Sequence, residues 1–292
     1  MWVLLAFVSA FFLGFYDVAK KKSLAGNSVL TVLFCNTLFC ALIFLPAIIG
    51  SGTGHSVEIH SVKAHALVII KAFIVLSSWI MGYYALKHLP ITITGPINAF
   101  RPVLVLCGAL VLFGEKLNYI QWCGIALSLL SLFLLSISGK KEGINFKSNK
   151  WILILSGAVV MGAVSGLYDK YIMKQLPPLF VQSWFNLYQV AIMGTVLLIM
   201  KKSSKKEEKF HWSWWIPMIS IFISIADFAY FSALSSEDAL IAIISMIRRG
   251  SVVISFAAGA FIFREKNLKA KALDLFLILI GLILLCIGSL EG

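Results

Sequence analysis

Ten stretches of this chain, each about twenty residues long and almost wholly apolar, decide what it can fold into. They run over about 1–21, 29–50, 66–87, 91–113, 119–138, 151–173, 179–200, 213–235, 239–263 and 271–289. A helix rises about 1.5 Å per residue, so about twenty apolar residues match a hydrocarbon core of about 30 Å. Inside that core every backbone N–H and C=O must find a partner within the protein, which favours helices for segments of this length. A soluble alternative fails on composition. The chain is 60% hydrophobic and 13% charged, where soluble domains hold about 45–50% apolar and about 25% charged residues. The longest connections, about 51–65 and 201–212, leave no room for a soluble domain. The lipid bilayer is therefore the first expected partner.

The segments repeat themselves. Gly14-Phe15-Tyr16-Asp17 returns 152 residues later as Gly166-Leu167-Tyr168-Asp169. Ala85-Leu86 followed by Phe113-Gly114-Glu115-Lys116 returns as Ala233-Leu234 followed by Phe263-Arg264-Glu265-Lys266. The spacing predicts two homologous halves, 1–140 and 151–292, with five spans each. Five is odd, so the second copy must enter the membrane the other way up. The predicted fold is an all-α membrane protein of ten transmembrane helices, arranged as two inverted five-helix repeats. Such repeats build secondary transporters, with the substrate site near the bilayer midplane.

Charge sets the orientation. Of 25 Lys and Arg residues, seventeen lie at one end, from Lys20–Lys22 and Lys87 through Lys201 and Lys202 to Lys269 and Lys271. Four lie at the other end: Lys63, Lys116, Lys170 and Lys174. The positive-inside rule makes the rich end cytoplasmic and puts both termini outside the cytoplasm, in a cell (inner) membrane. No basic residue precedes the first apolar run, which argues against a cleaved signal peptide.

Several classes of function find no support in the residues. Cys35, Cys40, Cys107, Cys123 and Cys286 all fall within apolar segments and read as small packing residues. His55, His60 and His65 recur every five residues, about 140° apart on a helix, which is poor metal geometry; they read as a polar loop. No nucleotide-binding loop, dinucleotide fingerprint, hydrolase elbow or zinc motif is present. The net charge of +12 sits in turns between spans and does not form a nucleic-acid footprint. No cofactor, metal or enzymatic activity is expected.

The informative residues are charges placed where lipid should exclude them. Arg101, Arg248, Arg249 and Asp227 lie near the middles of their spans. Each costs about 2.5–3.5 kcal/mol at a helix centre on insertion scales, so such residues face a bundle interior or a wet cavity. Lys71, about one turn into its span, can instead snorkel to the interface. Asp17 and Asp169 stand near span ends, where they can cap, pair with Lys20–Lys22 and Lys170, or serve with Tyr16 and Tyr168 in coupling or gating. Asp227 is a further candidate for coupling. If Asp227 pairs with one arginine, about two positive charges remain without a counter-charge, and an anion is the natural remedy because guanidinium grips carboxylate and phosphate bidentately. Arg248 and Arg249 diverge by about 100° on a helix, so one can face a cavity while the other pairs. Pro96 and Pro102 bracket Asn98 and Arg101 and can bend the span while freeing backbone carbonyls. Tyr84 and Asn186 are further candidates for the substrate site. Segments 5 and 10 read as packing or homodimer helices, since small residues permit close approach.

Together these features resemble the drug/metabolite transporter superfamily, specifically its ten-span proteins with two EamA-type repeats. The resemblance rests on Tyr83–Pro90, on Arg101-Pro102-Val103, on Gly114-Glu115-Lys116 and on their looser second copy. It implies a central cavity lined by spans 1–4 and 6–9, alternately open to each face, with spans 5 and 10 peripheral. In the related plant-type sugar-phosphate translocators a Lys-Arg pair in the ninth span holds phosphate, and Arg248-Arg249 stands in the matching span with Arg in place of Lys. Many EamA-type proteins keep both termini in the cytoplasm, opposite to the charge bias here. The expected function is secondary transport of a small anionic metabolite, with a coupling ion or counter-substrate. Export of amino acids or amphipathic drugs, and flipping of a lipid-linked sugar or phospholipid, are the alternatives.

Overall fold

The computed structural model describes residues 2–50, 61–113, 118–140, 148–203, 210–236, 239, 241–264 and 268–290. These form helices α1 (Trp2–Ser23), α2 (Val29–Ile49), α3 (Val62–His88), α4 (Ile91–Ala99), α5 (Arg101–Phe113) and α6 (Tyr119–Lys140), then α7 (Lys150–Met173), α8 (Pro178–Ser203), α9 (Trp215–Leu234), α10 (Ile241–Arg249), α11 (Ser251–Phe261) and α12 (Leu268–Leu290). There is no strand among the described residues. Among the described residues, five helices (α1, α2, α3, α7 and α9) are long and apolar enough to cross a membrane by length and composition. Asn149 caps α7, its side-chain oxygen accepting from Trp151 N at 2.9 Å. The second copy of the Phe-x-Glu-Lys echo and its first partner, at Gly114–Lys116 and Glu265–Lys266, lie outside the described residues, as do His55 and His60.

Two of the ten apolar segments are broken near their centres, one in each half. The α4/α5 break falls at Phe100, whose N–H bonds Ile97 O at 3.2 Å while Val103 N bonds Phe100 O at 3.1 Å. The α10/α11 break falls at Gly250 with the same pattern: Gly250 N to Ile247 O at 2.9 Å and Val253 N to Gly250 O at 3.1 Å. These tight three-residue turns interrupt the regular ladder. Pro102 explains the first, since proline supplies no N–H. The second has no proline and uses glycine.

The packing obeys an exchange of halves. α1 packs on α9 as α7 packs on α3, and α1 meets α11 as α7 meets α5. α2 pairs with α8, and α6 with α12. Comparable polar bonds join the first two pairs: Ser9 Oγ donates to Ala226 O at 2.6 Å, and Ser78 Oγ to Ala158 O at 2.8 Å. Such bonds and small-residue contacts hold apolar helices together where the hydrophobic effect between them is weak. At Gly14 a side chain would strike Ile254 of α11 at 2.6 Å, so α1 and α11 touch almost backbone to side chain there. The α6/α12 pair is closed by Asn118 Nδ2 to Gly288 O at 2.7 Å and Ser131 Oγ to Asp274 O at 2.6 Å.

The two ends of the bundle are tied differently. At the lysine-rich end Lys21 donates to Leu86 O and Leu89 O, both at 2.6 Å, and so caps the free carbonyls of α3. Lys87 donates to Asn27 O at 2.9 Å, and Asn27 exchanges bonds with the backbone of His211. At the other end Tyr168 donates to Leu67 O at 3.1 Å, and His65 Nδ1 lies 2.7 Å from Tyr188 Oη. His65 is thus a helical residue of α3, not part of a polar loop. The helix begins at Val62, earlier than the apolar run at 66, because Val62–His65 continue the turn beyond the hydrophobic stretch.

Candidate functional site

A cavity of about 150 Å³ lies where α1, α3, α4, α5, α7, α9, α10 and α11 converge. The two breaks border it, which brings Asn98 and Arg101 from one half opposite Arg248 and Arg249 from the other. Asp17 and Tyr16 reach it from α1, Asp169 from α7, Asp227 from α9 and Lys71 from α3. Residues more than 200 positions apart in sequence therefore share one small space.

The charges on its wall do not balance. Lys20, Lys71, Arg101, Arg248 and Arg249 face Asp17, Asp169 and Asp227. Three ion pairs form: Lys20–Asp17 at 2.7 Å, Arg248–Asp227 at 2.7 Å, and Lys71–Asp169. Arg248 also lies over the ring of Tyr230, 4.0 Å from its centre. Arg101 and Arg249 have no ion-pair or hydrogen-bond partner among the described residues, and Nε of each is buried and unpaired. Of the adjacent pair, Arg248 is the one bound to Asp227.

Lys71 corrects a sequence expectation. It does not snorkel; it is 2% exposed and bonds Asp169. The early start of α3 places it well inside the helix, and a carboxylate awaits it there. The same pair corrects Asp169, whose partner is Lys71 and not the neighbouring Lys170. Asp17 pairs with Lys20, one of the lysines expected, and Ser255 Oγ approaches its other oxygen at 3.4 Å.

Three of the residues singled out in the sequence do not reach the cavity wall. Tyr84 stacks on Trp151 of α7, with ring centres 6.5 Å apart and planes within 10°. Asn186 is buried in α8 at 1% exposure, next to the wall residue Phe185. Tyr168 turns to the backbone of Leu67. Tyr83, which lines the cavity and lies 3.4 Å from Tyr16 through the hydroxyls, is the wall residue in place of its neighbour Tyr84, which the sequence reading favours.

Gly162 is a wall residue the sequence did not single out. Arg101 lies so close above it that a Cβ there would overlap the guanidinium. Gly162 is thus the floor that lets Arg101 lie flat in the wall of α7. The Gly162→Ala substitution is expected to displace the Arg101 guanidinium and to weaken binding of any cavity ligand that Arg101 bonds by about tenfold, the loss of one charge-assisted hydrogen bond. Its melting temperature should move little, because an alanine in a helix costs nothing in propensity. Ligand affinity of the purified protein checks this, and unchanged affinity would mean that Arg101 does not need its observed position.

One solved crystal structure superposes on the chain with a TM-score of 0.70 at 17% sequence identity, covering 97% of this chain and 95% of that one. At that identity the likeness speaks to fold alone. No curated protein sequence matches significantly. The model of the EamA-like transporter family matches twice, over residues 1–137 and 149–287. With buried charges gathered in a cavity between apolar helices, and with both halves matched, the chain belongs to the EamA-like transporter family of integral membrane proteins.

Proposed function

We propose that the chain is a secondary transporter of a small anionic metabolite bearing a carboxylate or phosphate, working by alternating access. The observation that carries this reading is the pair of cavity arginines, Arg101 and Arg249, without an ion-pair or hydrogen-bond partner among the described residues. A guanidinium away from water is costly unless an anion meets it, and two of them favour a ligand with more than one oxygen acceptor. Asn98 adds a neutral polar group beside them. A cavity of about 150 Å³ is smaller than the roughly 300–1,000 Å³ of drug-sized sites, which favours a metabolite over a bulky drug.

Ten spans in two inverted five-helix repeats fit the reading. The exchange of halves in the helix packing supports it, as do the matching breaks at Phe100 and Gly250. The breaks supply one hinge per half beside the site, as rocking of one repeat against the other requires. The lysine-rich end is the cytoplasmic end, so Asp17 belongs to the inner gate and Asp169 to the outer one, in the cell membrane. A thermal-shift screen of the purified protein with phosphorylated, carboxylate and cationic small molecules tests the substrate class. Anions are expected to raise the melting temperature, and stabilisation by cations alone would favour export of amines or drugs instead.

One feature favours the flippase reading as second choice. An apolar groove opens on the outer surface between α1 and the α10/α11 break, flanked by the exposed Phe7 and Phe11 and floored by Gly250 and Ser251. Ser251 also lines the central cavity. A lipid tail in that groove would leave its phosphate near Arg249. Translocation of a headgroup-labelled phospholipid in proteoliposomes, absent from protein-free vesicles, would move this reading ahead.

A further inference from the structure

Lys71 is the cavity cation with the most constrained surroundings. Its ammonium bonds Asp169 of α7 and lies 4.7 Å from the ring centre of Phe185 on α8 and 4.6 Å from that of Phe231 on α9. One group on α3 thus engages three helices of the other half. The symmetry-related aspartate is held otherwise. Asp17 pairs with Lys20, three residues on in its own helix, and the pair reaches α3 only through the longer approach of Lys20 to the ring of Tyr83, 5.3 Å from its centre. Among the described residues only the long Ser255 hydroxyl contact at 3.4 Å leads from Asp17 to α11. The two copies of the repeated Tyr-Asp motif are therefore locked unequally, and the interhelical lock is the one made by Lys71.

We propose that Lys71 is a third cationic ligand of the transported anion, held in reserve by Asp169 until the anion arrives. This rests on the reading of the cavity as an anion site. An ammonium has three donors; Asp169 takes one, and the two aromatic faces attract the charge without accepting an ordinary hydrogen bond. No other acceptor reaches Lys71 among the described residues. A phosphate or carboxylate drawn in by Arg101 and Arg249 enters the space that Lys71 and Asp169 also line, and its oxygens compete directly with the Asp169 carboxylate. Its negative charge also offsets part of the excess of five cations over three carboxylates, so Lys71 no longer depends on Asp169 alone for a counter-charge. Asp169 stays within the field of Arg248 when Lys71 turns away. Without an anion the pair holds, because parting two buried charges with nothing in exchange leaves both uncompensated. The anion is then both the cargo and the trigger that frees α3 from α7, and a cation has no such effect.

The test uses the full chain in oriented vesicles, with the native cysteines replaced and one reporter introduced by Ser165→Cys. Ser165 lines the cavity one turn before Asp169 on the same face of α7. A membrane-impermeant thiol reagent is supplied only on the side of the Asp169 end, and inorganic phosphate and succinate serve as probes. Either anion is expected to speed labelling several-fold in the otherwise native chain. Asp169→Asn should label fast without anion and bind the active probe roughly tenfold more tightly, because Lys71 is free to bond it. Lys71→Gln should also label fast but bind the probe more weakly. If a probe binds the native chain while labelling does not change, or if Asp169→Asn binds it no more tightly, Lys71 is not a ligand and the anion reading stands without it. If neither probe binds the native chain, the anion reading itself fails and this inference with it. Should a variant not assemble, the native-chain labelling with and without anion decides alone.

Discussion

Replacing Arg249 by Gln is expected to lower anion uptake by roughly 30-fold to more than 1,000-fold, because truncating one partner of a buried charge pair costs about 2–5 kcal/mol. The same range is expected for Arg101→Gln. In both variants the protein should remain folded. Neither arginine has an ion-pair partner among the described residues, so its removal orphans no carboxylate and takes an uncompensated charge out of the bundle. The melting temperature of the empty protein should therefore hold or rise. Arg249→Lys should recover little, since a point-like ammonium does not reproduce the flat, two-pronged contact a guanidinium makes with carboxylate or phosphate. Initial uptake rates in proteoliposomes, set beside melting curves of the same preparations, separate the two effects. Variants that transport normally would show that the cavity cations are structural.

Asp227→Asn should do the reverse, with its main effect on stability. It leaves Arg248, whose side chain is 10% exposed, without the carboxylate it bonds at 2.7 Å. Stranding one member of a buried pair costs about 3–5 kcal/mol. Tyr230 beneath the guanidinium offsets part of this through its ring face, worth about 0.5–2 kcal/mol. Removing both charges with Asp227→Asn and Arg248→Gln should restore most of the lost stability, since no ion is then left alone. A double-mutant comparison of unfolding in detergent reads this directly. A double variant as unstable as Asp227→Asn alone would mean that Asp227 acts through something other than Arg248.

Much of the helical layout was legible because hydropathy reports the solvent a segment must face, and the apolar runs fall within helices of the all-α fold. The break at Phe100 had its signal in Pro102. The break at Gly250 had only a glycine, which membrane helices commonly carry without breaking. The surplus of cavity cations could be anticipated from counting deep arginines against Asp227, but the actual pairing could not. Lys71 and Asp169 lie 98 positions apart, and no local pattern states which faces of α3 and α7 will meet. Tyr84 and Asn186 are expected at the substrate site for their chemistry alone, and Tyr168 at a gate because it repeats Tyr16; a tyrosine or asparagine in an apolar helix can satisfy itself on any face. Gly162 carried no sequence signal of its role, because its function is the absence of a side chain beneath Arg101.

The most direct test of the account is a density map of the central cavity in protein purified with its native ligand retained. The anion reading predicts density that bridges Arg101 and Arg249, with oxygen atoms at hydrogen-bonding distance from both guanidinium groups. A ligand seated elsewhere, or one that meets the carboxylates of Asp17, Asp169 or Asp227 and leaves both arginines bare, would contradict it.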